Sequence, residues 1–332
     1  MTHLRNTKTL PVSPIAIGAV LCLCTLILGA VFFMRSPENS APKQMGEKEN
    51  LIIPQVVSTD SFRESLTIGQ RQQLQRDLTA YIASKRADGT LVDAGIWFRD
   101  LNNGPVITIN ADTSFSPASL LKVPLAIWFY RQASSSPEFL EQEIEFTGPN
   151  GTKVQHFPGE EHLVAGRVYT LRELIRILLE ESDNDAAAIL AQIAGIQNTD
   201  TVYADLGIAQ VTNYSTYVID VQTYSSFFRM LYNSTYLPRE SSQEILTFLS
   251  HSSFTAGLVA GVPDTTTVAH KFGERAIDPG QNISQLHDCG IVYVPRQPYI
   301  LCVMTQGYDY DELAKVIAEV SRRTYDAVTK SD

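Results

Sequence analysis

Ser119 and Lys122 are spaced so that they could act as a nucleophile and its base. Residues three apart lie on one face of a helix, so the Lys122 amine can reach the Ser119 hydroxyl. A serine hydroxyl is a weak nucleophile until a base removes its proton, and a desolvated lysine has a lowered pKa that suits it to this role. The same spacing arises by chance at Ser40 and Lys43. Taken alone, Ser119 is better explained as the N-cap of a helix.

Two later motifs offer a proton relay and groups that could bind a substrate. In the second motif of the chain, Ser182-Asp183-Asn184, the Ser182 hydroxyl could pass a proton to a leaving nitrogen, and the Asn184 amide could bind a substrate amide. In the third motif, Lys271-Phe272-Gly273, Lys271 could bind an anionic group of the substrate, and Gly273 would allow the strand to approach the substrate closely. Both motifs have structural alternatives, because serine and aspartate before an alanine-rich helix are common N-caps and a strand lysine is often an exposed edge charge.

The predicted elements place these motifs at the joints of an α+β domain. Apolar residues at helical spacing follow Leu66 and recur near the C terminus, which predicts two terminal helices. Two β-rich runs flank Asn102-Asn103-Gly104, a pattern typical of a hairpin. Ser119 begins a very apolar helix, and Lys271 lies on the first of three later strands. These elements predict an antiparallel sheet flanked by the terminal helices, with an all-helical block inserted between its strands.

The composition excludes several classes of protein. The 332 residues are 44% hydrophobic and 19% charged, which is not the composition of a disordered chain. There are 36 acidic and 26 basic residues, for a net charge of −10, and no basic stripe, so nucleic acid is not expected as a partner. The four cysteines lack the spacing of a zinc site. We therefore expect neither a metal nor a cofactor.

The chain divides into a membrane anchor and one folded domain. Residues 15–34 carry no charge, and about twenty apolar residues match the hydrocarbon thickness of a bilayer. We expect residues 1–14 to be a short cytoplasmic tail and 35–65 an extracytoplasmic linker. Residues 66–332 would then form the domain, held at the cell membrane by a single uncleaved signal anchor.

The order of the motifs resembles that of the penicillin-recognising serine enzymes, and most closely the class A β-lactamases. The segments that carry the resemblance are SFSPASLLKVPLA, YTLRELIRILLEESDNDAA and SSFTAGLVAGVPDTTTVAHKFG. The family implies a five-stranded antiparallel sheet with flanking terminal helices and an all-helical subdomain. It also implies an active site in the cleft between the two.

Residue by residue, the resemblance implies an acyl-enzyme mechanism on a β-lactam or a peptidoglycan peptide. Ser119 would be the acylated nucleophile and Lys122 its base or proton relay. The site would be completed by Ser182, Asn184, Lys271 and Gly273. The backbone N–H groups of Ser119 and Glu274 would form the oxyanion hole.

Two departures from the family pattern limit how far the roles of the family's residues can be assigned to this chain. Residues 190–228, the part of the interval between the second and third motifs in which this glutamate is expected, contain no glutamate to activate a deacylating water. Asp205 and Asp220 are nearby carboxylates, for which a surface loop and a helix N-cap are the alternatives to catalysis. Phe272 stands where the family has a threonine or serine that contacts the substrate carboxylate. As a hypothesis, Arg275 lies close enough in sequence to help hold an anion.

Three functions remain open from the sequence. The first is a β-lactamase-like serine hydrolase, the second is a D,D-peptidase that binds penicillin, and the third is a catalytically silent cell-wall binding module. The missing glutamate favours the peptidase, whereas the class A-like arrangement of motifs favours the lactamase.

Other residues that could carry chemistry are scattered along the chain. Cys289 and Cys302 have the same facing parity on paired strands, so either a disulfide or two buried thiols is expected. Four histidines without metal-ligand spacing are expected to be structural or at the surface: His156, His251, His270 and His287.

Overall fold

The described part of the chain begins after the predicted tail and membrane anchor. A computed structural model describes residues 50–52, 66–102, 104, 106–149, 155–211, 213, 216–278, 280 and 282–330, with the backbone alone at 196–198 and 278. The predictions for 1–14, for 15–34 and for most of 35–65 therefore lie outside the described residues. Among the helices that are described, none is both long and apolar enough to cross a membrane.

Eight α-helices and nine strands make up the described fold. The helices are α1 (Ile68–Ala87), α2 (Lys122–Ala133), α3 (Leu171–Glu180), α4 (Asn184–Ala194), α5 (Ile196–Asp205), α6 (Val221–Asn233), α7 (Arg239–Ser250) and α8 (Tyr310–Thr329). The strands are β1 (Leu91–Asp100), β2 (Val106–Ile109), β3 (Ser114–Phe115), β4 (Glu143–Glu145), β5 (Val168–Thr170), β6 (Ile219–Asp220), β7 (Val268–Asp278), β8 (Ile283–Val292) and β9 (Tyr299–Gly307).

Local capping signals set the start of several helices. Thr67 and Gln70 form a capping box at α1, and Thr170 and Glu173 form another at α3. Each box satisfies backbone N–H groups that have no partner within the helix. The terminal helices α1 and α8 pack against each other and against the sheet, as predicted.

The main sheet has five antiparallel strands in the order β2-β1-β9-β8-β7. The predicted hairpins are confirmed, because β1 pairs with β2 and β8 pairs with β9. The short pairs β3-β6 and β4-β5 lie outside this sheet. The predicted α+β architecture, with helices inserted between the strands of one sheet, is therefore confirmed.

The two faces of the sheet belong to two different hydrophobic cores. One core unites α1 and α8 with strand residues such as Phe98 and Phe272. The other unites the helical block with strand residues such as Cys289 and Cys302. Successive side chains on a strand point to opposite faces, so Phe272 faces the first core while its neighbour Lys271, paired in register with Cys289, faces the second.

Cys289 and Cys302 form a disulfide across β8 and β9. Both side chains are fully buried in the core beneath the helical block. Of the two alternatives that the sequence left open, the structure has the disulfide.

The linker prediction needs correction at residues 50–52. Leu51 and Ile52 are buried against the domain rather than exposed in a spacer. The Leu51 N–H donates to Gln243 Oε1 at 2.9 Å, and the Leu51 carbonyl accepts from Tyr293 Oη at 2.7 Å. Apolar burial and two hydrogen bonds hold these residues to the fold.

Candidate active site

A cavity of about 980 Å³ lies where the helical block meets β7. The predicted residues that line it are Ser119, Lys122, Asn184, Glu274 and Arg275. The remaining lining residues are Ala118, Leu121, Leu125, Gln155, His156, Ala187, Ala188, Ala191, Thr199, Tyr203, Ala276 and Tyr310. Five of the eight predicted site residues therefore meet around one cavity.

Ser119 lies in a 3₁₀ turn immediately before α2. This turn spans Ala118–Leu121 and is closed by a 3.0 Å bond from the Leu120 N–H to the Pro117 carbonyl. Ser119 is not an N-cap, because Leu121 precedes the first residue of α2 and no side chain caps either element. Ala118 has a left-handed backbone with φ of +50°, which is uncommon for a residue other than glycine and clusters at functional sites.

Lys122 is held by acceptor groups of the second motif. Its Nζ donates to the Ser182 carbonyl and to Asn184 Oδ1 at 2.9 Å, and lies 3.1 Å from Ser182 Oγ. Burial lowers the pKa of Lys122 to about 7, although the nearby carboxylates of Asp183 and Glu274 oppose this shift. A substantial fraction of this amine is thus neutral at physiological pH.

The second motif connects α3 to α4. Asp183, and not Ser182, is the N-cap of α4, since its side chain accepts from the Ala186 N–H at 2.7 Å. Ser182 is fully buried and has a left-handed backbone with φ of +54°. This conformation directs the Ser182 carbonyl and hydroxyl at Lys122. Ser182 is therefore not a helix N-cap, which was the structural alternative for this residue.

Lys271 is not among the residues that line the cavity. The side chain is fully buried, its Nζ donates to the Phe272 carbonyl at 3.2 Å, and the same nitrogen lies 4.3 Å from the centre of the Phe272 ring. Burial and the neighbouring Lys122 lower the pKa of Lys271 well below its ordinary value. The edge-charge alternative is therefore wrong, and the binding of an anionic group by Lys271 stays a prediction.

Phe272 faces away from the cavity. Its ring stacks on Phe254 with 4.2 Å between centroids and meets the edge of Phe157. The side chain is 1% exposed in the core on the far side of the sheet. The position that carries a hydroxyl in the family is thus an apolar packing position in this chain.

Gly273 allows β7 to approach the turn that carries the nucleophile. A Cβ atom at this position would lie 2.8 Å from the Pro117 carbonyl oxygen and 3.1 Å from the Leu120 nitrogen. Both contacts are with backbone, which cannot move aside cheaply. The sequence predicted close approach of the strand to a substrate, and the structure shows that the glycine accommodates the serine-bearing turn.

Glu274 contributes a carboxylate that the sequence did not single out. Its two oxygens accept from the backbone N–H groups of His156 at 2.6 Å and Phe157 at 3.1 Å. The side chain therefore anchors the loop that forms one wall of the cavity. The role of the Glu274 backbone N–H in an oxyanion hole stays a prediction.

Arg275 extends from β7 toward the segment that precedes the nucleophile. Its Nη1 donates to Ser116 Oγ at 2.7 Å, and its side chain lines the cavity. The predicted location beside the site is thus observed, while its binding of an anion stays a prediction.

Glu274 is the one carboxylate among the described residues that line the cavity. Asp220 caps α6 by accepting from the Thr223 N–H at 2.7 Å, and Asp205 accepts from Tyr236 Oη at 2.6 Å. Asp220 therefore has the N-cap role that was its alternative to catalysis, whereas Asp205 ends α5 and does not lie in the surface loop that was its alternative. Among the described residues, no cluster of His, Cys, Asp and Glu side chains could hold a metal ion.

Sequence reasoning missed several residues at the cavity. His156, expected to be structural or at the surface, lines the cavity, stacks on Tyr310 and lies 3.1 Å from Asp311. Gln155 donates to the Ser182 carbonyl at 3.4 Å. No periodicity or motif in the sequence marks this loop, because only the fold brings it next to the second motif.

Comparisons with known proteins agree with this geometry. A family model described as the "Beta-lactamase enzyme family" matches residues 50–328. The β-lactamase VEB-1 of Pseudomonas aeruginosa is 22% identical over 253 residues, which is 70% of this chain and 84% of that protein. A class A β-lactamase from Bacteroides cellulosilyticus has a TM-score of 0.67 at 17% identity, covering 81% of this chain and 100% of that one.

A penicillin-binding relative is also structurally similar. A mutant of PBP-A, solved as an acyl-enzyme complex with penicillin G, has a TM-score of 0.63 at 20% identity. The match covers 81% of this chain and 100% of that one. At these identities, the structural likenesses establish the fold.

Proposed function

The chain belongs to the β-lactamase enzyme family, and on this premise we propose that it is a serine acyl-transfer enzyme that opens β-lactams or related cell-wall amides through Ser119. One observation carries the proposal. Lys122 is buried next to the serine-bearing turn, has a pKa of about 7, and is held by Ser182 and Asn184. Such an amine is a proton acceptor at physiological pH.

The hydrogen bonds around Lys122 suit this role. A neutral amine has two N–H bonds and one lone pair, and the Ser182 carbonyl and Asn184 Oδ1 accept the two N–H bonds. In the proposed step the lone pair, which also faces Ser182 Oγ at 3.1 Å, turns to Ser119 and takes its hydroxyl proton as the serine oxygen attacks the substrate carbonyl carbon. The backbone N–H groups of Ser119 and Glu274 would stabilise the oxyanion that forms.

Collapse of this intermediate breaks the carbon–nitrogen bond of the amide or lactam. The leaving nitrogen needs a proton, and the buried Ser182 hydroxyl, 3.1 Å from Lys122 Nζ, can pass it on from the protonated amine. The products of this step are acylated Ser119 and the protonated leaving amine, which a β-lactam retains as part of the opened ring.

We propose that hydrolysis of the acyl-enzyme is slow. A water that attacks acylated Ser119 needs a base, and the described lining supplies one carboxylate, Glu274. Both oxygens of Glu274 already accept N–H groups of the adjoining loop. This arrangement favours a penicillin-binding peptidase over a fast lactamase, and the acylated PBP-A relative has the same fold.

The test is the mass of the full-length protein during incubation with penicillin G. We expect the lifetime of the adduct to be much longer than one catalytic cycle of a typical hydrolase, because no carboxylate of the described lining is positioned to activate water. Ser119→Ala is the matched control and should show no adduct. An adduct that decays within seconds would support a lactamase, and the absence of any adduct would favour a silent binding module.

We further propose that Arg275 binds the anionic group of the substrate. Neither Lys271 nor Phe272 is among the residues that line the cavity, whereas Arg275 is. Hydrogen bonds to charged groups contribute about 1.5–3 kcal/mol. Penicillin G should therefore acylate Ser119 about 10- to 100-fold faster than its neutral methyl ester.

Arg275→Gln should remove this preference by slowing the acid and not the ester. Ser116→Ala is the matched control, since it removes the hydroxyl that Arg275 contacts and keeps the guanidinium. An unchanged ratio of acid to ester rates in Arg275→Gln would show that another group recognises the charge.

We propose that the domain is held outside the cytoplasm by residues 15–34. The uncharged run in the sequence supports the anchor, and the Cys289–Cys302 disulfide fits an oxidising compartment. In intact spheroplasts, externally added protease should digest the domain, and detergent should be needed to extract the protein from membranes. Resistance to protease before lysis would place the domain in the cytoplasm.

A further inference from the structure

We infer that Gln285 and His287 form a clamp on Ser116 that positions the nucleophile Ser119, an inference that rests on the proposed acyl transfer at that serine. Gln285 Oε1 accepts from the Ser116 N–H at 3.0 Å, and His287 Nε2 donates to the Ser116 carbonyl at 3.0 Å. With the Arg275 bond to Ser116 Oγ, every polar group of Ser116 has a partner on β7 or β8.

The clamp is itself fixed by the next strand. The backbone N–H of Thr305 donates to His287 Nδ1 at 3.2 Å, so the second ring nitrogen, Nε2, carries the proton that the Ser116 carbonyl accepts. Gln285 Nε2 donates to Gln306 Oε1 at 2.8 Å, which fixes its amide with the oxygen toward Ser116. Both clamp side chains are at least 95% buried, so solvent does not compete for these bonds.

The ring of His287 remains neutral in this setting. Burial lowers the pKa of His287 to about 4, although its bonds to backbone groups oppose the shift. Protonation would place a hydrogen on Nδ1 facing the Thr305 N–H and break that bond. At neutral pH the histidine is therefore a fixed donor and not a titrating base.

What the clamp holds in place is a strained turn. Ser116 and Pro117 lead directly into Ala118, whose φ of +50° persists only when the surroundings determine it. The Pro117 carbonyl receives the Leu120 N–H across Ser119, and Gly273 packs on the same carbonyl. Fixing Ser116 from the sheet sets the path of the next three residues and thereby the position of the Ser119 hydroxyl and N–H.

Misplacement of a reacting group by about 1 Å can cost about 10²-fold in rate. His287→Leu and Gln285→Leu should therefore lower the first-order rate constant for acylation of full-length protein by penicillin G about 10²-fold, with the dissociation constant of the preceding complex nearly unchanged. His287→Gln should restore most of the rate, because its Nε2 can donate to the Ser116 carbonyl. Ser321→Ala is the control for lost stability, since its buried hydroxyl donates to Leu258 on the far side of the sheet.

Amide hydrogen exchange of the segment 116–121 provides a readout that needs no substrate. We expect faster exchange in His287→Leu and Gln285→Leu, and wild-type exchange in His287→Gln and Ser321→Ala. Unchanged exchange in both leucine variants would overturn the clamp, as would a lost affinity at an unchanged acylation rate. If the wild type forms no penicillin adduct, the proposed function fails while exchange still decides the clamp.

Discussion

Replacing Lys122 with methionine should lower the rate of acylation of Ser119 by about 10²- to 10⁴-fold, the range that a positioned general base contributes. Methionine has a similar length and no proton acceptor of comparable strength, so the change removes the base and keeps much of the packing. The measurement is the second-order rate constant for adduct formation with penicillin G, alongside the thermal midpoint of unfolding. A rate within threefold of wild type in a folded variant would show that another group takes the Ser119 proton.

The pH dependence of the acylation rate tests the same role of Lys122 independently. In the proposed mechanism the neutral amine is the active form. Because burial lowers the pKa of Lys122 to about 7, acylation should then fall about tenfold for each pH unit below 7. It should level off above that pH. In Lys122→Met, this limb should be absent, since the group that titrates is gone.

Removing the Cys289–Cys302 disulfide should lower the free energy of unfolding by about 2–4 kcal/mol. The two cysteines are 13 residues apart, and the bond limits the conformations of the unfolded chain between them. The variant with both cysteines changed to alanine is compared with wild type by denaturant unfolding. Reduced wild type is the control, because it loses the bond and keeps both sulfur atoms.

Reductant should lower the stability of the wild type and leave the double variant unchanged. If oxidised wild type and the double variant have the same free energy of unfolding, the disulfide adds no stability beyond that of the pairing between β8 and β9. Since both cysteines lie beneath the helical block, a loss of stability without a loss of acylation would also separate their role from that of the catalytic residues.

The positions of several helices and strands followed directly from the sequence. The terminal helices α1 and α8 and the hairpin β1-β2 lie where periodicity and turn residues predicted them. These signals are local, since each depends on residues within a few positions of one another. The motifs at Ser119 and Ser182 are local in the same sense, because each lies just before a helix that the sequence predicts.

The face toward which each strand residue points was not available from the sequence. Lys271 and Phe272 are neighbours, and a shift of one residue in register would exchange their faces. Only the pairing of β7 with β8 shows that the lysine is enclosed and that the aromatic ring fills the far core. In this arrangement neither Lys271 nor Phe272 lines the cavity, whereas Arg275 does.

Long-range contacts decided the rest of the site. Glu274 anchors the loop at His156 and Phe157, which lies far away in the chain, and Ser116 is held by Gln285 and His287 from another strand. By itself, the sequence indicated the family, the order of the elements and a candidate nucleophile with its base, because motifs and periodicity are local properties. The tertiary structure decided which groups are buried, and therefore which are neutral, because desolvation depends on every element that packs around a side chain.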